Sequence, residues 1–193
     1  MKEKERKEIR VVIAEDEPIT RMDLKEMLLA AGYSVVGETS EGFDAIEICK
    51  REKPDVVLLD IKMPLLDGLS AAKVIIEERS VDTVILLTAY SDDEFVNRAT
   101  KIGVSGYIVK PIDEKALVPN IEIAVARSRE IKEIRRQCES IAERLENRTI
   151  IERAKGQLML TTGLSENEAY EYIKNLSKDK KVSMKRIAEI ILA

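Results

Sequence analysis

Asp55-Val56-Val57-Leu58-Leu59-Asp60-Ile61-Lys62-Met63-Pro64, DVVLLDIKMP, is a continuous apolar run that ends on a carboxylate. Aliphatic residues without polar alternation read as a strand buried on both faces, as in parallel sheets flanked by helices. Asp60 then stands at the strand's carboxyl end. Open α/β sheets bind ligands in the crevice outside those ends, so Asp60 is either a turn former or a site residue. The other residues that reach the same rim decide between the two.

Four more apolar runs repeat the pattern: residues 10–14 (RVVIA), 34–37, 83–87 (TVILL) and 106–109. Segments with helical spacing lie between them, such as Met22 to Leu29 and Ala45 to Cys49. Strands alternating with helices predict βαβ units, hence an α/β, doubly wound parallel sheet of five strands. The first run ends in Glu15-Asp16, the fourth in Thr88-Ala89 and the fifth in Lys110-Pro111. In a parallel sheet these side chains converge on one rim with Asp60. Clustered carboxylates repel one another unless a cation intervenes, and Mg2+ takes one or two carboxylates together with phosphate oxygens. A lysine and a hydroxyl complete an anion pocket beside a carboxylate able to attack phosphorus. Singly, Thr88 reads as a strand end, Tyr107 as a half-buried β-former and Lys110 as a solvated charge. Together they make Asp60 a site residue.

The 193 residues suffice for one domain of common size and a small second one. With 45% hydrophobic and 35% charged residues, the composition is that of a soluble globular chain rich in charged helices. The opening MKEKERKEIR has no apolar segment of a signal peptide, and no run approaches the ~18 residues of a membrane span, so a cytoplasmic protein is expected. No histidine is present, which excludes Ser-His and Cys-His catalysis and histidine metal sites. Cys49 and Cys138 are far apart, without metal-type spacing, and read as reduced thiols on helix faces. From Arg144 onward 10 Lys and Arg stand against 7 Asp and Glu, whereas the rest of the chain is acidic. An anionic partner suits that tail.

From Asp113 to Asn147 there is no glycine and one proline, Pro119, near the helix start, which predicts a long helix. Ile131, Ile134, Cys138, Ile141 and Leu145 follow the 3-4 spacing of a coiled-coil seam. It packs either against the chain's own last helices or against a second copy, and self-association is the favoured reading. The remainder predicts three short helices. Ile150, Ile151, Ala154 and Leu158 form the apolar stripe of the first, which ends near Gly163. Ser165 opens the second through a capping box, with Ala169, Tyr172, Ile173 and Leu176 on its buried side. Ser183 caps the third, with Ile187, Ile190 and Ile191 inward. Opposite the first stripe, Arg148, Glu152, Lys155 and Met159 share a face expected to be exposed. Gly156 in mid-helix suggests close approach of another helix or of a nucleic-acid backbone.

The Glu15-Asp16 pair, DIKMPLLDG from Asp60 to Gly68, Thr88-Ala89 and GYIVKP from Gly106 to Pro111 resemble the response-regulator receiver domain, over residues 9–128. That resemblance implies a flavodoxin-like fold with Asp60 as phosphoacceptor and a sensor histidine kinase as partner. It implies Mg2+ held by Asp16 directly, by Glu15 through water, by Asp60, and by the backbone carbonyl of Lys62. Lys110 would pair with the phosphoryl group, Thr88 would move to hydrogen-bond it, and Tyr107 would change rotamer with it. Glu15 stands where many receivers carry Asp.

Residues 148–193, with IIERAKGQLM, GLSENEAY and SMKRIAEIIL, resemble the ANTAR domain of transcription antiterminators, and the two-domain layout is similar to that of ethanolamine-utilisation antiterminators. The implied module binds paired RNA stem-loops in leader transcripts. Carried onto this sequence, the RNA-facing residues are Arg148, Lys155, Gly156, Gln157 and Met159, with Lys180 and Arg186. Residues 129–147 become a helical, coiled-coil-like linker. The expectation is a phosphorylation-controlled antiterminator that dimerises on phosphorylation. A DNA-binding regulator would use Ser183 to Ile191 as a recognition helix. An aspartate-nucleophile phosphatase is disfavoured, because Lys62 occupies the position where one such class keeps its proton donor, so no enzymatic turnover is expected.

Overall fold

The computed structural model describes residues 9–89 and 93–193, with the side chains of 93–96 outside that description. The charged opening, residues 1–8, on which the reading of the N-terminus rests, also lies outside it. Five strands, β1 (Arg10–Ala14), β2 (Ser34–Thr39), β3 (Val56–Asp60), β4 (Thr83–Thr88) and β5 (Gly106–Val109), pair in parallel in the order β2-β1-β3-β4-β5. Helices α1 (Pro18–Ala30), α2 (Gly42–Glu52), α3 (Gly68–Glu77) and α4 (Asp93–Ile102) connect them, and α5 (Glu114–Thr162), α6 (Glu166–Lys180) and α7 (Met184–Leu192) follow.

The unbroken apolar character of β3 comes from cover on both sides. Val56 and Leu58 join Val11, Ile13, Ile85 and Leu87 on one face, under Leu24 and Leu28 of α1 and Leu117 and Ile121 of α5. Val57 and Leu59 join Val12, Ala14, Val84 and Leu86 on the other, under Ala45, Ile46 and Cys49 of α2 and Leu69, Ala72 and Ile75 of α3. Successive side chains alternate between faces, so a strand in the middle of three layers has no position for a polar residue except at its ends, where it reaches the rim of the sheet. Each such leucine, buried fully, stabilises the fold by roughly 1.5 to 3 kcal/mol. Strand order reverses at β1, which leaves a crevice between the carboxyl ends of β1 and β3.

Three strands run further than the apolar runs predicted. β2 reaches Thr39, β3 includes Asp60, and β4 includes Thr88. Asp60 still pairs with Leu87, and Thr88 with Val109, so the polar side chains are fixed by the sheet ladder itself. Asp67 caps α3 by accepting from the Ser70 amide at 2.7 Å. A Cβ on the following Gly68 would stand 2.0 Å from the Asp60 carbonyl oxygen, so only glycine lets this helix start lie against the end of β3.

The chain divides into two compact units, Met1–Lys132 and Glu133–Ala193. The expected helix end at Asn147 is not observed. α5 runs unbroken for 49 residues to Thr162, with the first of the three short helices as its last part. No glycine interrupts it before Gly156, and one mid-helix glycine costs only about 1 kcal/mol. It ends where Gly163 takes a φ of +73°, the left-handed stop that glycine adopts without strain. Pro119 lies in its second turn.

In the second unit Ala154, Leu158, Ala169, Ile173, Ile187 and Ala188 form the core. Ser165 and Glu168 make the capping box, and Ser183 accepts from the Arg186 amide. Tyr172 and Ile190 are largely exposed, contrary to the expectation that both point inward. With α6 packing through Ala169, Ile173 and Leu176, Tyr172 sits on the flank of that stripe. Among the described residues no helix is long and apolar enough to cross a membrane.

Candidate functional site

β1, β3, β4 and β5 deliver Glu15, Asp16, Asp60, Thr88 and Lys110 to one pocket of about 200 Å3, completed by Glu17, Ile61, Lys62 and Ala89. Lys110 Nζ is its centre. It donates to Glu15 Oε1 at 2.9 Å and lies 2.7 Å from both Glu15 Oε2 and Asp60 Oδ1. Asp60 Oδ2 accepts from the Lys62 amide at 3.0 Å. Glu15 is fully buried, Asp60 nearly so, and Asp16 is exposed at the mouth. Arg21 Nη1 donates to the Glu15 backbone carbonyl and fixes the turn after β1.

Burial pushes the Glu15 carboxyl above its ordinary value, opposed by the hydrogen bond from Lys110 and reinforced by the charge of Asp60. Asp60 is likewise raised by burial, opposed by Lys110 and reinforced by Asp16. Burial works to lower Lys110, but hydrogen bonds to Asp60 and Glu15 outweigh it and raise the ammonium above the ordinary lysine value. One lysine therefore leaves two buried acids incompletely compensated.

One carboxylate oxygen from each of Glu15, Asp16 and Asp60 comes within 4.8 Å of the others. Glu15 Oε2 makes its ion pair without accepting a hydrogen bond in proper geometry. A buried, hydrogen-bond-poor carboxylate oxygen beside two other acids is the donor set a hard divalent cation takes. The residues fit Mg2+.

Thr88 is buried at the edge of this pocket, and its carbonyl accepts from the Lys110 amide at 2.8 Å, so β4 sets the exit of β5. Tyr107 is not in the pocket. It is 46% exposed, on a separate cleft with Asn120, Ile123 and Arg127.

The candidates on the last helices separate. Arg148, Gln157, Met159, Lys180 and Arg186 are exposed, the last paired with Glu189. Lys155 is not. Its residue surface is only 6% exposed, and Nζ bridges Glu152 at 2.8 Å and Glu166 at 2.9 Å, bonds that raise its pKa. The expectation of an exposed Lys155 is corrected for a geometric reason. At about 100° per residue it stands beside Ala154, not opposite it, and the first turn of α6 closes over that side. Gln157 stands about 160° round the helix from Lys155, so the two do not share a face. Around Gly156 no heavy atom lies within 4 Å of an added Cβ, so no helix of the described chain makes the expected close approach. Glu166 was missed in the sequence, because a contact across a turn of chain carries no local spacing; Glu152, at i−3 from Lys155, was legible.

The seam is uncovered. Ile131, Ile134, Ile141 and Leu145 are 53 to 61% exposed, and Cys138 is exposed as well. Among the described residues, no element buries these side chains.

A parallel five-stranded sheet with an acid triad and lysine at its carboxyl rim defines the class of aspartate phosphoacceptor domains. Family comparison extends this to both units: residues 11–122 match the response regulator receiver domain, and residues 139–192 the ANTAR domain. The chain belongs to the response regulators that join a receiver to an ANTAR domain, a regulatory family of phosphorylation-controlled antiterminators. It is 44% identical over 183 residues to the transcriptional regulatory protein PdtaR of Mycobacterium tuberculosis, covering 95% of this chain and 89% of that one. The receiver domain of the putative response regulator NarL from the same organism superposes with a TM-score of 0.58 at 30% identity, over 61% of this chain and 96% of that one. A chain in the CheX-CheY-BeF3-Mg2+ complex of Borrelia burgdorferi does so with a TM-score of 0.56 at 26% identity, over 58% of this chain and 86% of that one. The ANTAR match favours the RNA-binding reading of the last helices over the helix-turn-helix alternative.

Proposed function

We propose that Asp60 takes a phosphoryl group from a sensor histidine kinase, and that this controls binding of RNA stem-loops by residues 148–193. The observation that carries the first part is Lys110 Nζ set 2.7 Å from Asp60 Oδ1 in a pocket with two more acids. An Asp60 oxygen attacks phosphorus, the bond to the donor nitrogen breaks, and the departing imidazole takes up a proton. Lys110 turns from the carboxylate toward the arriving phosphoryl oxygens, and Thr88 hydrogen-bonds them. Glu15, Asp16, Asp60 and the Lys62 carbonyl would hold Mg2+, which offsets the charge gathered on the phosphoryl oxygens. The product is an acyl phosphate on the protein itself, so the reaction ends after one transfer per chain. A cytoplasmic location follows from a kinase donor and a transcript target.

For output, residues 9–128 serve as receiver, 129–147 as linker, and 148–193 as RNA-binding module. The exposed Ile131 to Leu145 seam pairs two copies, so that two modules hold two stem-loops. The test is RNA binding with and without acetyl phosphate and Mg2+. Tighter binding in the phosphorylated state supports the scheme, and equal affinity in both states overturns it.

Two consequences arise from the output unit. Lys155→Met should lower its melting temperature more than Arg148→Gln does, because Lys155 is buried and pairs with Glu166 at the start of α6 whereas Arg148 is exposed; thermal melts of both variants decide this. Gly156→Ala should raise helix stability by about 1 kcal/mol, since open space surrounds the new methyl group. If RNA backbone approaches Gly156, the same variant binds RNA more weakly despite melting higher, and a titration beside the melt separates the two effects.

A further inference from the structure

Resting on the RNA-binding reading above, we propose that the outward face of α6, formed by Asn167, Tyr170, Lys174, Lys178 and the following Lys181, is an RNA contact surface. Asn167, Tyr170, Lys174 and Lys178 follow one another at spacings of 3, 4 and 4, which places them on one side of the helix, turned from the buried Ala169 and Leu176 with Tyr170 at the edge next to Ile173, and Lys181 follows as the helix cap at a φ of +55°. Tyr170 is 39% exposed, and Lys174 Nζ stands 5.8 Å from its ring centroid, a cation held at an aromatic surface. Lys174 is shared with Glu171, at 2.6 Å. Lys178 and Lys181 have no carboxylate partner within ion-pair distance among the described residues.

The opposite situation holds on the α5 flank. Lys155 is enclosed there by Glu152 and Glu166, so its ammonium faces two carboxylates and not an approaching phosphate, which leaves Arg148 as the exposed cation on that flank. Unpaired RNA bases present a π face and a neighbouring phosphate, and an aromatic ring interleaved with lysines at helical spacing matches both. On this surface Tyr170 stacks an unpaired base, and Lys178 and Lys181 hold the adjoining phosphates.

The probe is an RNA enriched by the unaltered, acetyl-phosphate-treated chain from hairpins with randomised loops. Fluorescence anisotropy at several salt concentrations measures the full-length chain, Lys178→Gln/Lys181→Gln, Tyr170→Leu and Tyr170→Phe, each with a thermal melt as a check of folding. The double lysine variant should bind about tenfold or more weakly and flatten the slope of log affinity against log salt by roughly 1.5. Tyr170→Leu should weaken binding about tenfold with little change of slope, and Tyr170→Phe should restore it, because stacking needs the ring and not the hydroxyl. Folded variants that bind as the parent does overturn this face while leaving the RNA reading in place. A parent chain that enriches no RNA overturns that reading, and the face with it.

Discussion

Asp60→Asn should abolish labelling by acetyl phosphate in the presence of Mg2+, to background and not merely by a factor, because an amide oxygen cannot form the acyl phosphate. Removing Mg2+ from the parent with a chelator should have the same effect. Full labelling of the variant would place the phosphoacceptor elsewhere. The same substitution should raise the melting temperature at pH 7. Asp60 and Glu15 both hold protons more tightly in the folded state than their ordinary 3.8 and 4.5, chiefly through burial. A carboxyl raised on folding is unfavourable to stability above its raised value, and that penalty disappears as pH falls through it. The near-isosteric amide removes the penalty at Asp60, so the variant's advantage should shrink as pH is lowered toward 3.8. Lys110 has the reverse sign. Its contribution is complete below the ordinary 10.5 and is lost as pH rises through its raised value, so stability in the parent should also decline at the alkaline end.

The second large effect concerns the seam. Ile134→Asp with Ile141→Asp should leave labelling of Asp60 intact and remove phosphorylation-dependent dimerisation in sedimentation. RNA affinity should then fall by about a hundredfold or more, the avidity lost when two linked modules become independent. Since both isoleucines are more than half exposed, the monomer should keep its fold. Cys138 lies midway along the same stripe and is exposed, so a parallel, in-register pair should also be trapped as a disulfide-linked dimer under mild oxidation. A double-Asp variant that still dimerises would move the interface to another surface.

Much of the receiver was legible because its physics is local and periodic. β1, β3 and β4 announce themselves by apolar runs that only a three-layer domain can bury, and the acids, threonine and lysine that follow those runs can reach only one rim. The strand ends were legible to within one or two residues. Asp60 and Thr88, past the last apolar residue, read as strand ends, and the sheet ladder holds both of them. The output unit was less legible. Its helical stripes, its capping box at Ser165 and its stop at Gly163 are all local signals and were readable. The absence of a break at Asn147 was not, since nothing local distinguishes the end of one helix from the middle of a longer one when neither glycine nor proline intervenes.

By itself, then, the sequence determined the α/β class, the convergence of Glu15, Asp16, Asp60, Thr88 and Lys110, and the presence of an apolar seam at 3-4 spacing, whereas its exposure is a finding of the structure. Tertiary structure alone decided the fate of individual charges. Lys155 and Lys178 look alike in the chain, each a lysine off an apolar stripe. One is enclosed because Glu166, eleven residues away, swings onto it when Gly163 turns the chain, and the other remains exposed because no element of its unit crosses that side. Helical periodicity fixes the direction of a side chain about its own axis, but what stands in that direction depends on the angle at which the next helix returns.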